Sequence, residues 1–362
     1  MNDPRSPYKN QYDEERVLSL SDWYHTQMPA LIHEYQSTSN IAGSEPVPNS
    51  AIMNDESNTK LKVAPGKTYL VRIINISAFA AFYLNFEGHQ MTVVEIDGVY
   101  VDPQDTNLIM VAAAQRYSVL IHAKSDANRN FAFLGSVRLS SGLRPAFLLN
   151  ATNSSSAPQM DLHMFDRIPL GFNPNITGQL IYDDHKALSP PPVLSNFDAL
   201  DDITLVPVDH APLLTSPAKS IVFQASFAPV NGVIRGFLND NTYLPPRVPT
   251  LYTALSAPPS LKSNPIIYGP TTNPYILPYN SVIEIVVNNY DNGSHPFHLH
   301  GHQFQVVKRS PGNYVAPEPW DGLTAGLTKQ PMRRDTVMVR NFGHLVIRFQ
   351  ADNPGVYLFH CQ

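Results

Sequence analysis

The chain has 362 residues, with 25 Lys and Arg against 30 Asp and Glu, for a net charge of −5. That balance supplies no basic surface for nucleic acid or an anionic membrane, and no run of about 18 apolar residues is present to span a bilayer. Charged residues are only 15% and hydrophobic ones 43%, with 33 Pro, 18 Gly and a single Cys, which excludes a disordered chain, a helical bundle and an internal disulfide framework.

From the N-terminus, MNDPRSPYKNQYDEERVLSL has neither an apolar stretch nor a small-residue cleavage site and is not a secretory signal peptide. Val17–Tyr24 alternates like one strand. With no partner nearby in sequence, it is expected to be the last strand of a domain whose beginning is absent. Asn40–Ser50 (NIAGSEPVPNS) is an expected linker. Strands are predicted at Thr68–Ile76, Ala81–Asn85, Met91–Ile96 and Tyr117–His122, then at Ser220–Phe223, Ser281–Asn288, Gln303–Lys308, Thr336–Arg340 and His344–Phe349. These runs are rich in Val, Ile, Tyr and Phe and are bounded by Gly, Pro, Asn and Asp. Between the two sets lies Ser- and Pro-rich sequence, including NATNSSSAPQ and Leu188–Ser195. No 3.6-residue apolar period is sustained, so the expected class is all-β, built of sandwiches or Greek-key barrels. Five N-x-S/T sequons, at Asn75, Asn150, Asn153, Asn175 and Asn292, point to a glycosylated, exported ancestor. They conflict with the missing signal peptide.

The chemistry is concentrated near the C-terminus. Six of the 13 His follow residue 290, and four fall within His295-Pro-Phe-His298-Leu-His300-Gly-His302. Residues i and i+2 of a strand share a face about 6–7 Å apart, so His298 and His300 point the same way. His360 and Cys361 are adjacent and point to opposite faces, within reach of two separate metal centres. Thiolate plus imidazole is the donor set of an electron-transfer copper site. Zinc shares the ligand types, but the Cys-x-x-Cys and His-x3-5-His spacings are missing.

HPFHLHGH, followed by PMRRDTVMVR and ADNPGVYLFHC, resembles the third cupredoxin domain of the multicopper oxidases. FEGHQMTVVEIDGVYV with VAAAQRYSVLIHA resembles their second domain, and DEERVLSLSDWYH the end of a first. The likeness covers essentially the whole chain and is strongest to fungal iron-transport ferroxidases, with laccases next. It implies tandem cupredoxin-like Greek-key β-sandwiches: residues 1–49 as a first-domain remnant and linker, 50–190 as the second domain, and 191–362 as a third domain truncated at its C-terminal end. It implies copper, with His295 and Cys361 as type 1 ligands, His298 on type 2 copper, and His300 and His360 on the type 3 pair. His302 is given a supporting role. Substrate would be oxidised one electron at a time at type 1 copper, and O2 reduced to water at the trinuclear cluster.

By the same resemblance, Glu87, Asp202 and Asp291 are the acids expected to bind Fe(II), with Asp201 the alternative to Asp202. An iron permease is the implied partner, and an extracellular or cell-surface location follows from the family. The chain departs from the family pattern in three ways. No His-x-His pair precedes residue 295, Gln362 stands where a ligand His is expected, and the second type 1 His would lie further on. With three of eight cluster ligands, this polypeptide is expected to be inactive alone, and to expose a sheet edge and a thiol. Laccase-like phenol oxidation and a copper-free cupredoxin paralogue are the alternatives.

Overall fold

The computed structural model describes residues 4–137, 173, 175–194, 196–312, 314–324 and 326–361. Asn150, Asn153, the segment NATNSSSAPQ, Ser195 and Gln362 lie outside them. The described residues are mainly strand, with helices at Met28–Tyr35 and Thr250–Ser256.

The first eleven strands are β1 (Glu14–Trp23), β2 (Ser50–Met53), β3 (Lys60–Lys62), β4 (Thr68–Asn75), β5 (Phe82–Phe86), β6 (Met91–Ile96), β7 (Val99–Thr106), β8 (Ile109–Val111), β9 (Arg116–His122), β10 (Phe131–Ser136) and β11 (Asn175–Ile181). They form a six-stranded sheet ordered β2-β1-β4-β9-β6-β7 and a five-stranded sheet ordered β3-β11-β10-β5-β8. The apolar faces share one core. Leu18, Ile73 and Val119 of the first sheet lie in the same buried cluster as Phe82, Phe86 and Phe133 of the second.

The remaining strands are β12 (Lys219–Val230), β13 (Val233–Leu238), β14 (Val282–Asn289), β15 (His295–Leu299), β16 (Phe304–Arg309), β17 (Arg333–Arg334), β18 (Thr336–Val339), β19 (His344–Gln350) and β20 (Phe359–Cys361). They form a six-stranded sheet ordered β13-β12-β14-β19-β16-β17 and a three-stranded sheet ordered β18-β15-β20. The two six-stranded sheets have the same plan. In each, one strand pair is parallel, β1 with β4 and β12 with β14. In each, the pairing two steps beyond the parallel pair, β9 with β6 and β19 with β16, carries a register shift, at Val93/Glu95 in β6 and at Val306/Lys308 in β16.

One expectation is corrected. The alternating run at Val17–Tyr24 is not without a partner: it forms most of β1. That strand pairs antiparallel with β2 through Leu20–Met53 and parallel with β4 from Glu14–Tyr69 to Leu20–Asn75. Leu18 and Leu20 are fully buried, so the alternation records the core of this sheet. The parallel partner is distant in sequence, as parallel pairing requires, and so the pairing leaves no local sequence signal.

The two pairs of sheets meet across buried charges. Arg334, fully buried, donates Nε to Asp97 Oδ2 at 2.8 Å and an η nitrogen to Asp202. Arg309 closes on the other oxygen of Asp202 at 2.7 Å. A buried charge is tolerable only when paired in this way.

Candidate metal centre

β15 runs between β18 and β20, with His298 opposite Thr336 on one side and His360 on the other. Phe297 and Leu299 are buried in the core. Strand alternation therefore sends His298 and His300 to the other face. Their ring centroids are 4.7 Å apart, and that of His360 is 5.6 Å from His298. Nε2 of His300 and Nε2 of His360 approach to 2.9 Å. At that separation only one of the two can carry a proton, which it donates to the other. Burial, and then the neighbouring charges of His298 and His360, hold His300 below the ordinary histidine range.

Cys361 lies opposite Phe297, so it projects away from the His298 face. Its Sγ is 3.8 Å from Nδ1 of His295. Nε2 of His295 is 3.0 Å from Asp291 Oδ2. Burial opposes the charged imidazole, but Asp291 and then Cys361 outweigh it and push His295 up to about 10. The Asp291 carboxylate can only accept, so Nε2 of His295 donates to it, and Nδ1 faces the Cys361 sulfur. Asp291 is fixed by the bend that carries it: its N–H donates to Asn289 Oδ1 at 3.0 Å, and Gly293 N–H donates to Asp291 Oδ2 at 2.7 Å. A Cβ at Gly293 would stand 2.6 Å from that oxygen and 3.4 Å from His295 Nε2, so only glycine lets the bend close over this pair.

Nδ1 of His298 lies 2.8 Å from the Asp335 carbonyl and 3.0 Å from Thr336 Oγ1. The Thr336 hydroxyl donates to Asp335 Oδ1 at 2.9 Å, so both neighbours present lone pairs and Nδ1 carries the proton. Nε2 keeps its own lone pair, the state a metal ligand needs. Nδ1 of His302 is 3.2 Å from the His300 carbonyl, and its ring packs on Phe349 and Tyr357.

The three acids expected to meet iron have different surroundings. Asp291 joins His295. Glu87 pairs with Arg129 at 2.8 Å and receives the Ala132 N–H. Asp202 is buried, with both carboxylate oxygens taken by Arg309 and Arg334. Burial works against its charge, but the two guanidiniums outweigh burial and hold it well below the usual carboxylate range. The pattern ALDD names the acids but not the arginines, which lie far away in sequence. Asp201 is more exposed and contacts Arg309 and Arg340. Among the described residues, no contact joins Glu87, Asp201 or Asp202 to His295.

Among the described residues, no group of three or more His, Cys, Asp or Glu is arranged to hold a metal. The donors form two partial sets: a sulfur beside an imidazole, and three clustered imidazoles. The chemistry of each set fits part of a copper site. Sequence reasoning missed Asp335, although it stands in the quoted PMRRDTVMVR. Its role depends on its pairing across to β15, which no spacing reveals.

A family model described as multicopper oxidase matches residues 14–155, and a second with the same description matches residues 243–362. The chain belongs to the multicopper oxidase family. It is 43% identical over its whole length to the iron transport multicopper oxidase fetC of Epichloe festucae, and 42% identical to FET3 of Gibberella zeae. In both cases it covers 54% of the relative, so it spans about half the length of the curated relatives it matches. The crystal structure of Fet3p, described as a multicopper oxidase that functions in iron import, superposes with a TM-score of 0.90 at 38% identity, covering 99% of this chain and 64% of that one. A laccase from Botrytis aclada shares the fold at 22% identity, with a TM-score of 0.67 over 97% of this chain and 61% of its own. The expected all-β, cupredoxin-like fold and the likeness to fungal iron-transport oxidases both hold. The matching family models describe oxidases that use copper.

Proposed function

We propose that this chain is part of an iron-oxidising multicopper oxidase, carrying two ligands of the electron-entry copper and three of the oxygen-reducing cluster. His295 and Cys361 would hold the first metal; His298, His300 and His360 would hold parts of the second site. Copper bound there would supply one-electron redox chemistry between Fe(II) and O2. The peptide joining Cys361 to His360 links the two sets by the shortest covalent route. Asp291 orients His295 and offers an anionic oxygen to an approaching cation.

The observation that carries the preference for iron is the Asp291–His295 hydrogen bond. A carboxylate, a hard donor suited to iron ions, touches the would-be entry ligand directly, where a phenol oxidase would present an apolar wall. The iron-transport names of relatives aligned along the whole chain support the same choice. Glu87 and Asp202 remain sequence-level candidates whose carboxylates are occupied by arginine. An extracellular or cell-surface setting, with an iron permease receiving the product, completes the proposal.

The test uses the longest transcript product containing this chain, expressed with copper. Asp291→Ala should cut kcat/KM for Fe(II) about 10- to 100-fold, the equivalent of a hydrogen bond to a charged group, while phenol turnover stays within about threefold. Equal loss on both substrates sinks the iron assignment. Absence of bound copper in that product sinks the oxidase assignment and favours a copper-free scaffold.

A further inference from the structure

Arg334, Asp335 and Thr336 form an unbroken run, and each residue is fastened to the first pair of sheets. Arg334 donates to Asp97. Arg116, at the start of β9, donates through both η nitrogens to the two oxygens of Asp335, at 2.7 and 2.6 Å. Gln115 donates Nε2 to the Thr336 carbonyl at 3.1 Å. These last two contacts span 219 and 221 residues of chain. The same Asp335 and Thr336 supply both acceptors of the His298 Nδ1 proton.

The clamp itself is built to be stiff. Gln115 is buried, and its Oε1 accepts the Ala112 N–H at 3.0 Å. Ala114 sits at φ +64, a left-handed conformation that a non-glycine residue adopts only where its surroundings enforce it. Arg116 N–H donates to Asp97 Oδ1 at 2.8 Å, and its side chain also donates to the Ala114 carbonyl at 2.9 Å. A bidentate guanidinium fixes the plane of a carboxylate as well as its distance.

We propose that Gln115 and Arg116 are positioning residues for His298: reaching across from the first pair of sheets, they fix Asp335 and Thr336 so that the imidazole keeps its proton on Nδ1 and offers Nε2 to a metal. The proposal builds on the assignment of His298 as a ligand. It adds that one ligand of the cluster takes its tautomer and orientation from Arg116 at the start of β9 and Gln115 in the turn before it, which touch no metal themselves. Such outer partners commonly change metal affinity or activity by about 10- to 100-fold when removed.

The decisive experiment is a long-range 1H–15N correlation spectrum of this chain, metal-free and labelled on histidine, which reports the protonated nitrogen of each ring. Wild type should show His298 fixed as the Nδ1–H tautomer. Arg116→Met and Gln115→Leu should each lower its tautomer ratio about three- to tenfold, the effect of about one net hydrogen bond. Signals of His89 and His295 should stay in place, which a general loss of structure would not allow. Arg116→Lys, which retains one charged donor, should recover most of the wild-type pattern, and it decides the matter if Arg116→Met does not fold. An unchanged His298 tautomer in folded Arg116→Met and Gln115→Leu, or a Lys variant no closer to wild type than the Met variant, overturns the proposal. Copper binding to the wild-type transcript product is scored separately by its type 2 paramagnetic resonance signal. Loss of that signal alone would remove the metal from His298 and leave the tautomer result standing.

Discussion

His89 shows how one buried side chain makes stability depend on pH. It is 4% exposed, edge-on to Phe131. Its Nδ1 lies 2.7 Å from the Glu87 carbonyl and its Nε2 2.6 Å from the Tyr182 hydroxyl, which satisfies the neutral ring. Burial first of all holds its pKa below the ordinary histidine value. As pH falls through about 6.5, the unfolded chain therefore takes up a proton that the folded chain resists, and folding stability declines. Urea midpoints between pH 8 and pH 5.5 should fall accordingly, with a shallower slope in His89→Gln; parallel slopes would remove His89 as the cause. Asn75 makes a second residue-level point. Its Nδ2 donates to the Ala80 and Val111 carbonyls at 2.7 and 2.8 Å, and its Oδ1 accepts the Ser77 N–H. A glycan there is incompatible with the fold, whereas Asn175 and Asn292 are exposed. Glycopeptide mapping of folded, secreted chain should find Asn75 unmodified. The tripeptide signal was legible at all three sites, but burial, which separates them, was not. The face shared by His298 and His300 was legible because strand alternation is local. The neutralisation of Asp202 was not, because its arginines arrive from other strands.

At the scale of elements, β10 and β11 escaped prediction because neither shows an alternating pattern. All six residues of β10 are buried, and a short continuous apolar run is ambiguous between strand and buried helix. β7 was missed because of Pro103. The strand lies at the edge of its sheet, where a missing N–H breaks no ladder. In β11, Gly178 pairs across from Phe133, and a Cβ there would fall 2.1 Å from the ring. The ring thus lies over the glycine and joins Phe86, stacked at 5.0 Å. Gly178→Ala should destabilise the chain by about 1–3 kcal/mol through overpacking. A thermal midpoint unchanged from wild type would show that Phe133 has a second place to go.

For the whole molecule, Arg334 is the element of the junction most exposed to failure. Removing its charge leaves Asp97 and Asp202 buried with fewer partners. Arg334→Met should therefore cost about 3–5 kcal/mol, read as a lower urea midpoint; a loss under about 1 kcal/mol would mean that the junction contributes little. The shared plan of the two six-stranded sheets has a consequence for ancestry. Strand order, the one parallel pair and even the site of the bulge agree, so the chain carries the same design twice, as a duplicated and diverged gene would. The smaller sheets then correspond through their registers: Phe86 opposite Phe133 matches Leu299 opposite Phe359. On that correspondence His295 and His298 replace Phe82 and Asn85, while His360 and Cys361 replace Leu134 and Gly135. One copy buries Phe82 and Leu134 at these positions beside Gly135 and the half-exposed Asn85, whereas the other places imidazoles and a thiol there, so a handful of side chains on an unchanged frame separates the two.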